Sequence, residues 1–379
     1  MIGRTLLYAA LAGGMAIASL PAKAGPSILL DAGTGRVIES DDAFHRWYPA
    51  SLTKLMTAYV AFRAVQAGEV TFSSPIVISK SAAKLPPSKM GYKPGSQLTL
   101  DNALKIIMVK SANDVAASIG TSIAGSVAGY AERMNAESRR LGMSDSNWVN
   151  QHGLHDERQY TSPRDLALLA MAIRRDFPQY LDYFSIEGLL ADGKEMPNHN
   201  NLIGRFPGAN GMKTGYICPS GFNLVASATR NGRTLLAVVV GGESVDARDE
   251  EAAAMLARGF GSSSDNGPMI ADLPRTSTGV NEPTNMYEQL CSKEAREKKE
   301  KAWKELQAAL KEGRKQAFVS AYLSEPPEKR KLVTVRLGGV TGPAAKAAAS
   351  DYADVPIPTW RPDLPPPVLA QGDTAAAVQ

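Results

Sequence analysis

The residues best suited to nucleophilic chemistry are Ser51 and Lys54, in the stretch YPASLTKLMTAYVAF. Apolar residues from Leu55 onward recur at helical spacing, so the two side chains are expected one turn apart near the start of a helix. A serine hydroxyl becomes a useful nucleophile only when a neighbouring base accepts its proton. A lysine amine can be that base if burial and nearby cations lower its pKa from about 10.4 toward roughly 7–8. The structural alternative is a serine that caps the helix and a lysine in solvent.

The Ser-x-x-Lys spacing is weak evidence by itself, because two fixed residue types recur by chance. Ser81 and Lys84 repeat the same pattern. That second match is followed at once by Pro86 and Pro87, which stop a helix. Only the first pair precedes a long amphipathic helix that would hold both side chains rigidly on one face.

Two further short motifs could complete such a site. KSANDVAASI contains Ser111-x-Asn113, a hydroxyl and an amide at a helix entry, where a plain helix cap is the competing explanation. GMKTGYICPSG contains Lys213-Thr214-Gly215, which leads into a strand-like run, and a lysine in a polar turn is the alternative there. A glycine on an edge strand would let the backbone approach a bound ligand closely.

The elements that must position these motifs alternate between strands and helices. SILLD and RVIES are typical of two strands around a tight turn, and FNLVASATR and RTLLAVVVGG of a hairpin closed by Asn231-Gly232. Helices are predicted after a cap at Thr99 or Asp101 and after Ser162-Pro163. A further helix, ARDEEAAAMLARGF, should pack back on the hairpin.

The two ends of the chain differ in character from residues 25–261. TLLYAALAGGMAIASLPAKA has the pattern of a signal peptide cleaved after Ala24, which predicts an exported, periplasmic protein. Residues 262–285 are typical of a linker, residues 286–340 of a charged helical extension, and residues 341–379 of a disordered proline- and alanine-rich tail. The charged helix has a thin apolar edge, so it is either solvated or a surface for a protein or cell-envelope partner.

Composition excludes several classes of function. With 379 residues, 44% hydrophobic and 21% charged, the chain has an ordinary globular composition, and its net charge of +4 gives no sign of nucleic-acid binding. The 4 histidines show no ligand spacing, so neither a metal nor an organic cofactor is predicted. After export, Cys218 and Cys291 could form a disulfide, or they could remain two buried thiols.

The order of the three motifs is informative. Ser-x-x-Lys, Ser-x-Asn and Lys-Thr-Gly follow one another as in penicillin-binding proteins and class A β-lactamases. With phrases such as NQHGLHDERQYTSPRDLALLA and GANGMKTGY, the chain resembles the D-alanyl-D-alanine carboxypeptidases, which are low-molecular-mass penicillin-binding proteins. The resemblance runs from about Ser27 to Phe260 and does not cover the C-terminal part.

The resemblance implies a fold of the α/β class, of the mixed α+β kind seen in β-lactamases and transpeptidases. A mainly antiparallel sheet would lie between helices, with a helical subdomain beside it and the cleft between the two. Residues 25–261 would form this catalytic penicillin-binding domain, and a separate helical and low-complexity extension would follow it.

The resemblance also implies roles for the motif residues. Ser51 would attack the carbonyl between the two D-alanines of a peptidoglycan pentapeptide, with Lys54 as its base. Ser111 and Lys213 would pass a proton to the leaving D-alanine. Asn113 would orient the substrate amide and the Lys54 side chain.

The remaining residues implied by the resemblance bind substrate. The backbone N–H groups of Ser51 and Tyr216 would stabilise the oxyanion. The substrate carboxylate would be held by Lys213, Thr214 and Arg248, beside Gly215. His152 is placed only at the rim of the cleft.

Two other functions compete with a carboxypeptidase inhibited covalently by β-lactams. A class A β-lactamase would need a glutamate, usually in a Glu-x-x-Leu-Asn context, to activate the hydrolytic water. No glutamate between Asn113 and Lys213 has that context, so slow deacylation from β-lactams is expected. The other alternative is a catalytically idle cell-wall scaffolding protein.

Overall fold

The structure is a computed structural model that describes residues 25–263, 266–275, 282–313 and 319–345. The predicted signal peptide and residues 346–379 of the predicted tail lie outside the described residues. Among the residues described, no helix is both long and apolar enough to cross a membrane.

The described strands form a five-stranded, a three-stranded and a two-stranded sheet. In chain order they are β1 (Ser27–Asp31), β2 (Val37–Asp41), β3 (Pro75–Val77), β4 (Gln97–Thr99), β5 (Gly188–Ala191), β6 (Lys194–Pro197), β7 (Ala209–Ile217), β8 (Gly221–Arg230), β9 (Arg233–Gly242) and β10 (Leu332–Thr334).

The described helices begin with α1, directly after a short 3-10 turn at Ala50–Leu52. They are α1 (Thr53–Gln66), α2 (Lys80–Ala83), α3 (Leu100–Val109), α4 (Asn113–Ala124), α5 (Val127–Arg140), α6 (Pro163–Asp176), α7 (Asp182–Ser185), α8 (Val245–Phe260), α9 (Tyr287–Cys291) and α10 (Lys293–Lys311). A second 3-10 turn lies at Pro178–Tyr180.

The five-stranded sheet is antiparallel throughout, in the order β2-β1-β9-β8-β7. Side chains alternate between its faces: Ala237 and Val239 pack against α8, whereas Leu236 and Val238 face the core shared with the other helices. Burial on both faces explains why LLAVVV is a continuous apolar run rather than an alternating one. The α+β expectation is confirmed.

Local signals placed several elements correctly. Asn231 and Gly232 both have positive φ, as the tight turn between β8 and β9 requires, and the hairpin is in register with Arg230 opposite Arg233. Thr99 caps α3, and Ser162 caps α6 with Pro163 in the first turn. The helix predicted to pack on the hairpin is α8, and it does so.

Helix α1 lies at the centre of the molecule, between the sheet and the helical subdomain. Its residues from Thr53 to Phe62 are all buried, so no face of this part is left for solvent. Tyr130 of α5 donates a hydrogen bond to the carbonyl of Thr57 at 2.7 Å, which fixes the subdomain against α1. A rigid, enclosed α1 is the platform on which the Ser-x-x-Lys motif sits.

The C-terminal extension is built into the catalytic body rather than standing apart from it. Strand β10 pairs in parallel with β5. Beyond it, Gly338 N donates to the Gln97 carbonyl at 2.7 Å, and Ser74 Oγ donates to the Pro343 carbonyl at 2.5 Å. Among the described residues of the predicted helical extension, α9 and α10 are helical, whereas Leu332–Thr334 form a strand that pairs with β5. Helix α10 is exposed on all sides through residues 296–305.

Candidate active site

Ser51 lies in the 3-10 turn that leads into α1, and it does not cap that helix. Ala50 has φ of +47°, an uncommon conformation for a residue with a side chain. A Cβ on Gly153 would lie 1.8 Å from the Ala50 carbonyl oxygen, and one on Gly215 would lie 2.9 Å from the Ser51 nitrogen. The turn therefore packs between the Gly153 loop and β7. A glycine on each side, Gly153 and Gly215, allows the backbones to come this close.

Lys54 is completely buried directly behind Ser51. Its Nζ lies 2.9 Å from Ser51 Oγ, 2.9 Å from Asn113 Oδ1 and 2.5 Å from the His152 carbonyl oxygen. Burial, and then the charge of Lys213, hold the pKa of the Lys54 amine well below its usual value, against a smaller opposing effect of Asp114. The solvated-lysine alternative is therefore wrong for this residue.

Asn113 is the first residue of α4 and is locked in place by the segment that precedes β4. Its backbone N–H donates to the Ser88 carbonyl at 2.7 Å, and its side-chain Nδ2 donates to the Pro86 carbonyl at 3.0 Å. With Nδ2 committed in this way, Oδ1 is turned toward Lys54. The neighbouring Asp114 accepts from the backbone of Met90 and Gly91, which ties the same segment down again.

Ser111 occupies the break between α3 and α4, with φ of +60°. The N-cap of α4 is Ala112, so the helix-cap explanation for Ser111 does not hold. The Ser111 hydroxyl is buried and makes no hydrogen bond to any described residue. A buried hydroxyl without a partner is costly in a folded protein and is characteristic of a site that awaits a ligand.

Lys213 and Thr214 lie on β7, one of the two edge strands of the five-stranded sheet, and both are buried. Lys213 Nζ donates to the Thr214 carbonyl at 2.9 Å. Burial, and then the charge of Arg248, lower the pKa of Lys213 to about 7. At Gly215 the missing side chain makes room for the Ser51 turn.

Arg248 lies in the first turn of α8, behind the end of β9, and is almost fully buried. Its Nε donates to Asp249 Oδ1 at 2.8 Å, and Nη2 lies 2.6 Å from the same oxygen. Asn201 Nδ2 donates to the other Asp249 oxygen at 2.9 Å. The guanidinium is thus held rigidly, and its charge acts on Lys213.

His152 is buried rather than at the rim of the cleft, and it contributes through its backbone. The carbonyl accepts from Lys54, while the ring Nδ1 accepts from Leu154 N at 3.1 Å. Burial, and then the Lys54 charge, lower the pKa of the His152 ring to about 3. Side-chain types do not show that a backbone carbonyl accepts a hydrogen bond from Lys54. The only sequence feature that pointed to this segment was the resemblance of NQHGL to the family.

Tyr216 follows Gly215 at the mouth of the cleft. Its side chain is 43% exposed and stacks on Phe222 with 4.2 Å between ring centroids. Close by, Cys218 and Cys291 form a disulfide, which resolves the question left open by the sequence. Among the described residues, no group of histidine, cysteine, aspartate or glutamate side chains has the arrangement of a metal site.

The part of the chain that carries this site is similar to known proteins. A family model described as D-alanyl-D-alanine carboxypeptidase matches residues 15–244. D-alanyl-D-alanine carboxypeptidase DacD of Escherichia coli (strain K12) is 34% identical over 240 residues, 62% of this chain and 62% of that protein. DacF of Bacillus subtilis (strain 168) is 30% identical over 250 residues, 64% of each chain.

Solved structures are similar over the same region. Penicillin binding protein 5 from Haemophilus influenzae superposes with a TM-score of 0.61 at 32% identity, covering 63% of this chain and 71% of that one. Penicillin binding protein 6B from Escherichia coli gives 0.60 at 32% identity, covering 63% and 77%. The chain therefore spans only about three fifths of the length of the curated relatives.

Proposed function

Because the chain belongs to the D-alanyl-D-alanine carboxypeptidase family, whose model spans residues 15–244, we propose that it is a serine-type D-Ala-D-Ala carboxypeptidase. Its substrate is a peptidoglycan stem pentapeptide that ends in D-Ala-D-Ala. The reaction is hydrolysis of the last peptide bond through an acyl-enzyme on Ser51, giving a tetrapeptide and free D-alanine.

The observation that carries this proposal is the hydrogen-bond arrangement around Lys54 Nζ. A neutral amine has two N–H donors and one lone pair, and three oxygens surround this nitrogen. Asn113 Oδ1 and the His152 carbonyl have no hydrogen to give, so they accept the two N–H groups. The lone pair is left for the hydroxyl of Ser51, which donates to it. That is the geometry of a base about to take the proton of its nucleophile.

Acylation then follows from the positions of the groups. Ser51 Oγ attacks the carbonyl carbon of the penultimate D-alanine while its proton passes to Lys54. Negative charge develops on the carbonyl oxygen, where the backbone N–H groups of Ser51 and Tyr216 stabilise it. Fixed donors of this kind are worth about 2.7–4 kcal/mol each in the transition state.

Release of D-alanine needs a proton on its nitrogen. When the C–N bond of the tetrahedral intermediate breaks, Ser111 donates its hydroxyl proton to the departing amine and is reprotonated from Lys213. The Ser111 hydroxyl, which has no partner among the described residues, is available for this relay. The proton that Lys54 took from Ser51 then passes to Lys213, so that Lys54 is neutral and Lys213 protonated again. Water attacks the acyl-enzyme while Lys54 accepts one of its protons. Lys54 returns that proton to Ser51 Oγ as the shortened peptide leaves.

Recognition of the substrate carboxylate is assigned to Lys213, Thr214 and Arg248. The two cations lie near enough for Arg248 to lower the pKa of Lys213. Without substrate, the positive charges of Lys213 and Arg248 repel each other. A bound carboxylate would lie between them, and its negative charge would offset this repulsion. This favours a peptide with a free C-terminus over an internal peptide bond.

β-Lactams are expected to acylate Ser51 and to leave slowly. The five glutamates between Asn113 and Lys213 are engaged elsewhere or exposed, for example Glu137, which pairs with Arg63 and Arg140. In the part of the chain that the structure describes, none of them hydrogen-bonds to Ser51 or Lys54. A water-activating glutamate of the β-lactamase kind is therefore not part of the proposed machinery.

The proposed setting is the periplasm, reached by cleavage after Ala24. N-terminal sequencing of the mature protein from a periplasmic fraction should then begin at Gly25. If the extension binds an envelope partner, the exposed residues 296–305 of α10 are the surface proposed for it.

The direct test is release of D-alanine from a synthetic peptide ending in D-Ala-D-Ala, with Ser51→Ala as the inactive variant. Ser81→Ala is the matched control, because it removes the serine of the other Ser-x-x-Lys pair, which is exposed. Intact mass after incubation with penicillin should show one adduct on the wild type and on Ser81→Ala, and none on Ser51→Ala. No release by the wild type would favour a scaffolding protein, and rapid turnover of penicillin without an adduct would favour a β-lactamase.

A further inference from the structure

The Cys218–Cys291 disulfide connects the C-terminal extension to the end of the catalytic strand. It links residues 73 apart in sequence. Cys218 lies just past the end of β7, three residues after Gly215, and Cys291 is the last residue of α9. Met286, which precedes α9, donates its backbone N–H to the Pro219 carbonyl at 3.0 Å, so α9 is fixed to this turn at two points. Cys291 lies beyond residue 244, where the family match ends.

The side chain of Tyr216 lies against this junction. Its hydroxyl is 3.3 Å from Cys291 Sγ and 3.8 Å from Cys218 Sγ. Its ring stacks on Phe222, the residue opposite it on β8. A tyrosine side chain has only two rotatable bonds, so ring stacking on one side and the disulfide at its tip leave it in one orientation, with its other face open to solvent.

The orientation of the substrate peptide along β7 follows from the proposed function, on which this inference rests. The scissile carbonyl lies at the backbone N–H of Tyr216, and the substrate carboxylate lies at Lys213 and Thr214, earlier on the same strand. A peptide with its C-terminus toward the start of β7 runs antiparallel to that strand, along the free edge of the sheet. The residue before D-Ala-D-Ala must therefore pass the end of β7, beside Tyr216 and the disulfide.

We infer that the Tyr216 side chain, held by the Cys218–Cys291 disulfide, contacts the stem-peptide residue that precedes D-Ala-D-Ala and selects for a long aliphatic side chain there. An aromatic face next to a disulfide is an apolar, polarisable surface, which suits a chain of methylene groups better than a single methyl. Tyr216 is then a specificity-determining residue, and the two cysteines are positioning residues that act through it.

The test compares two peptides that differ only at this position. Acetylated X-D-Ala-D-Ala is used with X as Nε-acetyl-L-lysine or as L-alanine, so that chain length changes without a charge. The wild type should favour the longer side chain by about tenfold in kcat/KM, which is the low end of the range for one methylene group in an enclosed pocket, because this surface is partly open to solvent. In Tyr216→Ala the preference should fall to about twofold, mainly through KM. In Cys218→Ser/Cys291→Ser it should fall to a similar level.

The triple variant separates positioning from general stability. If the disulfide acts through Tyr216, removing it in the Tyr216→Ala background should change the preference no further. If it only stabilises the fold, its loss should lower kcat/KM for both peptides equally and leave the preference intact, which overturns the inference. Trp303→Ala is the matched control, since Trp303 belongs to the same extension but is exposed on α10, and it should behave as wild type.

The failures of the two proposals differ. If the wild type releases D-alanine from neither peptide, the proposed function falls and this inference falls with it. If it releases D-alanine from both with no preference, or if Tyr216→Ala keeps the preference, only the present inference is overturned. Tyr216→Ala leaves the disulfide intact, so it decides the matter even if the cysteine variants fail to fold.

Discussion

The carbonyl oxygen of Ala50 occupies the space that a side chain on Gly153 would need: a Cβ there would lie 1.8 Å from it. Gly153 also has φ of +84°, in the region that residues with side chains avoid. The residue before the proposed nucleophile is thus positioned by a glycine about a hundred residues later in the chain. The position of the Ser51 turn relative to Lys54 is therefore fixed by this backbone contact, together with the hydrogen bond that Thr53 Oγ1 donates to the Ala50 carbonyl at 2.8 Å.

Gly153→Ala is therefore expected to destabilise the protein by more than about 3 kcal/mol, since both the backbone conformation and the contact are violated. It should also abolish penicillin labelling in whatever fraction stays folded. The free energy of unfolding from urea denaturation and the intact mass after penicillin treatment measure the two effects.

Gly142→Ala is the control for this variant. Gly142 has φ of +72°, but a Cβ there would meet nothing within 4 Å. Gly142→Ala should therefore lower the free energy of unfolding only through the cost of placing alanine at positive φ, about 1–2 kcal/mol. Penicillin labelling should persist. Equal losses of stability in the two variants would show that the contact with Ala50 does not matter.

Ser111→Ala should separate activity from stability. The Ser111 hydroxyl is buried and makes no hydrogen bond to a described residue, so its removal should change the free energy of unfolding by less than about 1 kcal/mol. If it relays the proton to the leaving amine, D-alanine release should fall by about 10²–10⁴-fold. Denaturation curves and a D-alanine assay on the same preparation test both. A loss of 3 kcal/mol, with activity reduced only in proportion to unfolding, would contradict the relay role.

The pH dependence of peptide hydrolysis should be bell-shaped. Lys54 must be neutral to act as a base, and because its pKa is held well below the usual value, activity is lost only when the pH falls through that lowered pKa. Lys213 must be protonated to bind carboxylate and supply a proton. Its pKa is lowered to about 7, so activity should decline as the pH rises above that value.

Arg248→Gln should move only the alkaline side of this profile. Burial is the larger cause of the lowered pKa of Lys213, and the charge of Arg248 is the second. Removal of that charge raises the pKa of Lys213, so the decline in kcat/KM should begin at higher pH, while KM rises because a carboxylate ligand is lost. Arg258→Gln is the control, since Arg258 lies on the same helix, is exposed and pairs with Glu39. The same alkaline limb in both variants would exclude Arg248 as an influence on Lys213.

Features of the fold could be predicted from the sequence where a particular residue type or a hydrophobic periodicity indicates them. The Asn231-Gly232 turn and the Ser162 cap follow from local chemistry of this kind. Ser51, Lys54 and Asn113 could be grouped from the sequence because the order of their motifs resembles that of the penicillin-binding proteins. The structure brings these three together at Lys54 Nζ.

Contacts made by the backbone could not be anticipated in the same way. Three such contacts are those of the His152 carbonyl with Lys54, the Pro86 carbonyl with Asn113 and the Ala50 carbonyl with Gly153. Because every residue has a backbone carbonyl, only the glycine in the last contact requires a particular residue type. The sequence predicts that Gly215 allows a ligand to approach closely, but not that the missing side chain also makes room for the Ser51 turn. Each of these contacts depends on how distant segments meet, which local patterns do not encode.

The C-terminal extension shows the same limit on a larger scale. The stretch that contains Leu332, Val333 and Thr334 is too short for periodicity to indicate a strand, and the charged helix before it suggested that helix would continue. The strand forms because β5 offers an open edge for it to pair with. Val335, the next residue, is 1% exposed and belongs to the main core.

This docking predicts that part of the extension is needed for the stability of the catalytic domain. Val335→Ala removes two buried methyl groups' worth of contact and should lower the free energy of unfolding by roughly 1.5–2.5 kcal/mol. Leu337→Ala deletes a larger side chain two residues further on, but Leu337 is 42% exposed, so the loss should stay within about 0.5 kcal/mol. Urea denaturation followed by tryptophan fluorescence should show a single transition that shifts only in the Val335 variant. If both variants unfold at the wild-type midpoint, residues 332–335 are not part of the cooperative core.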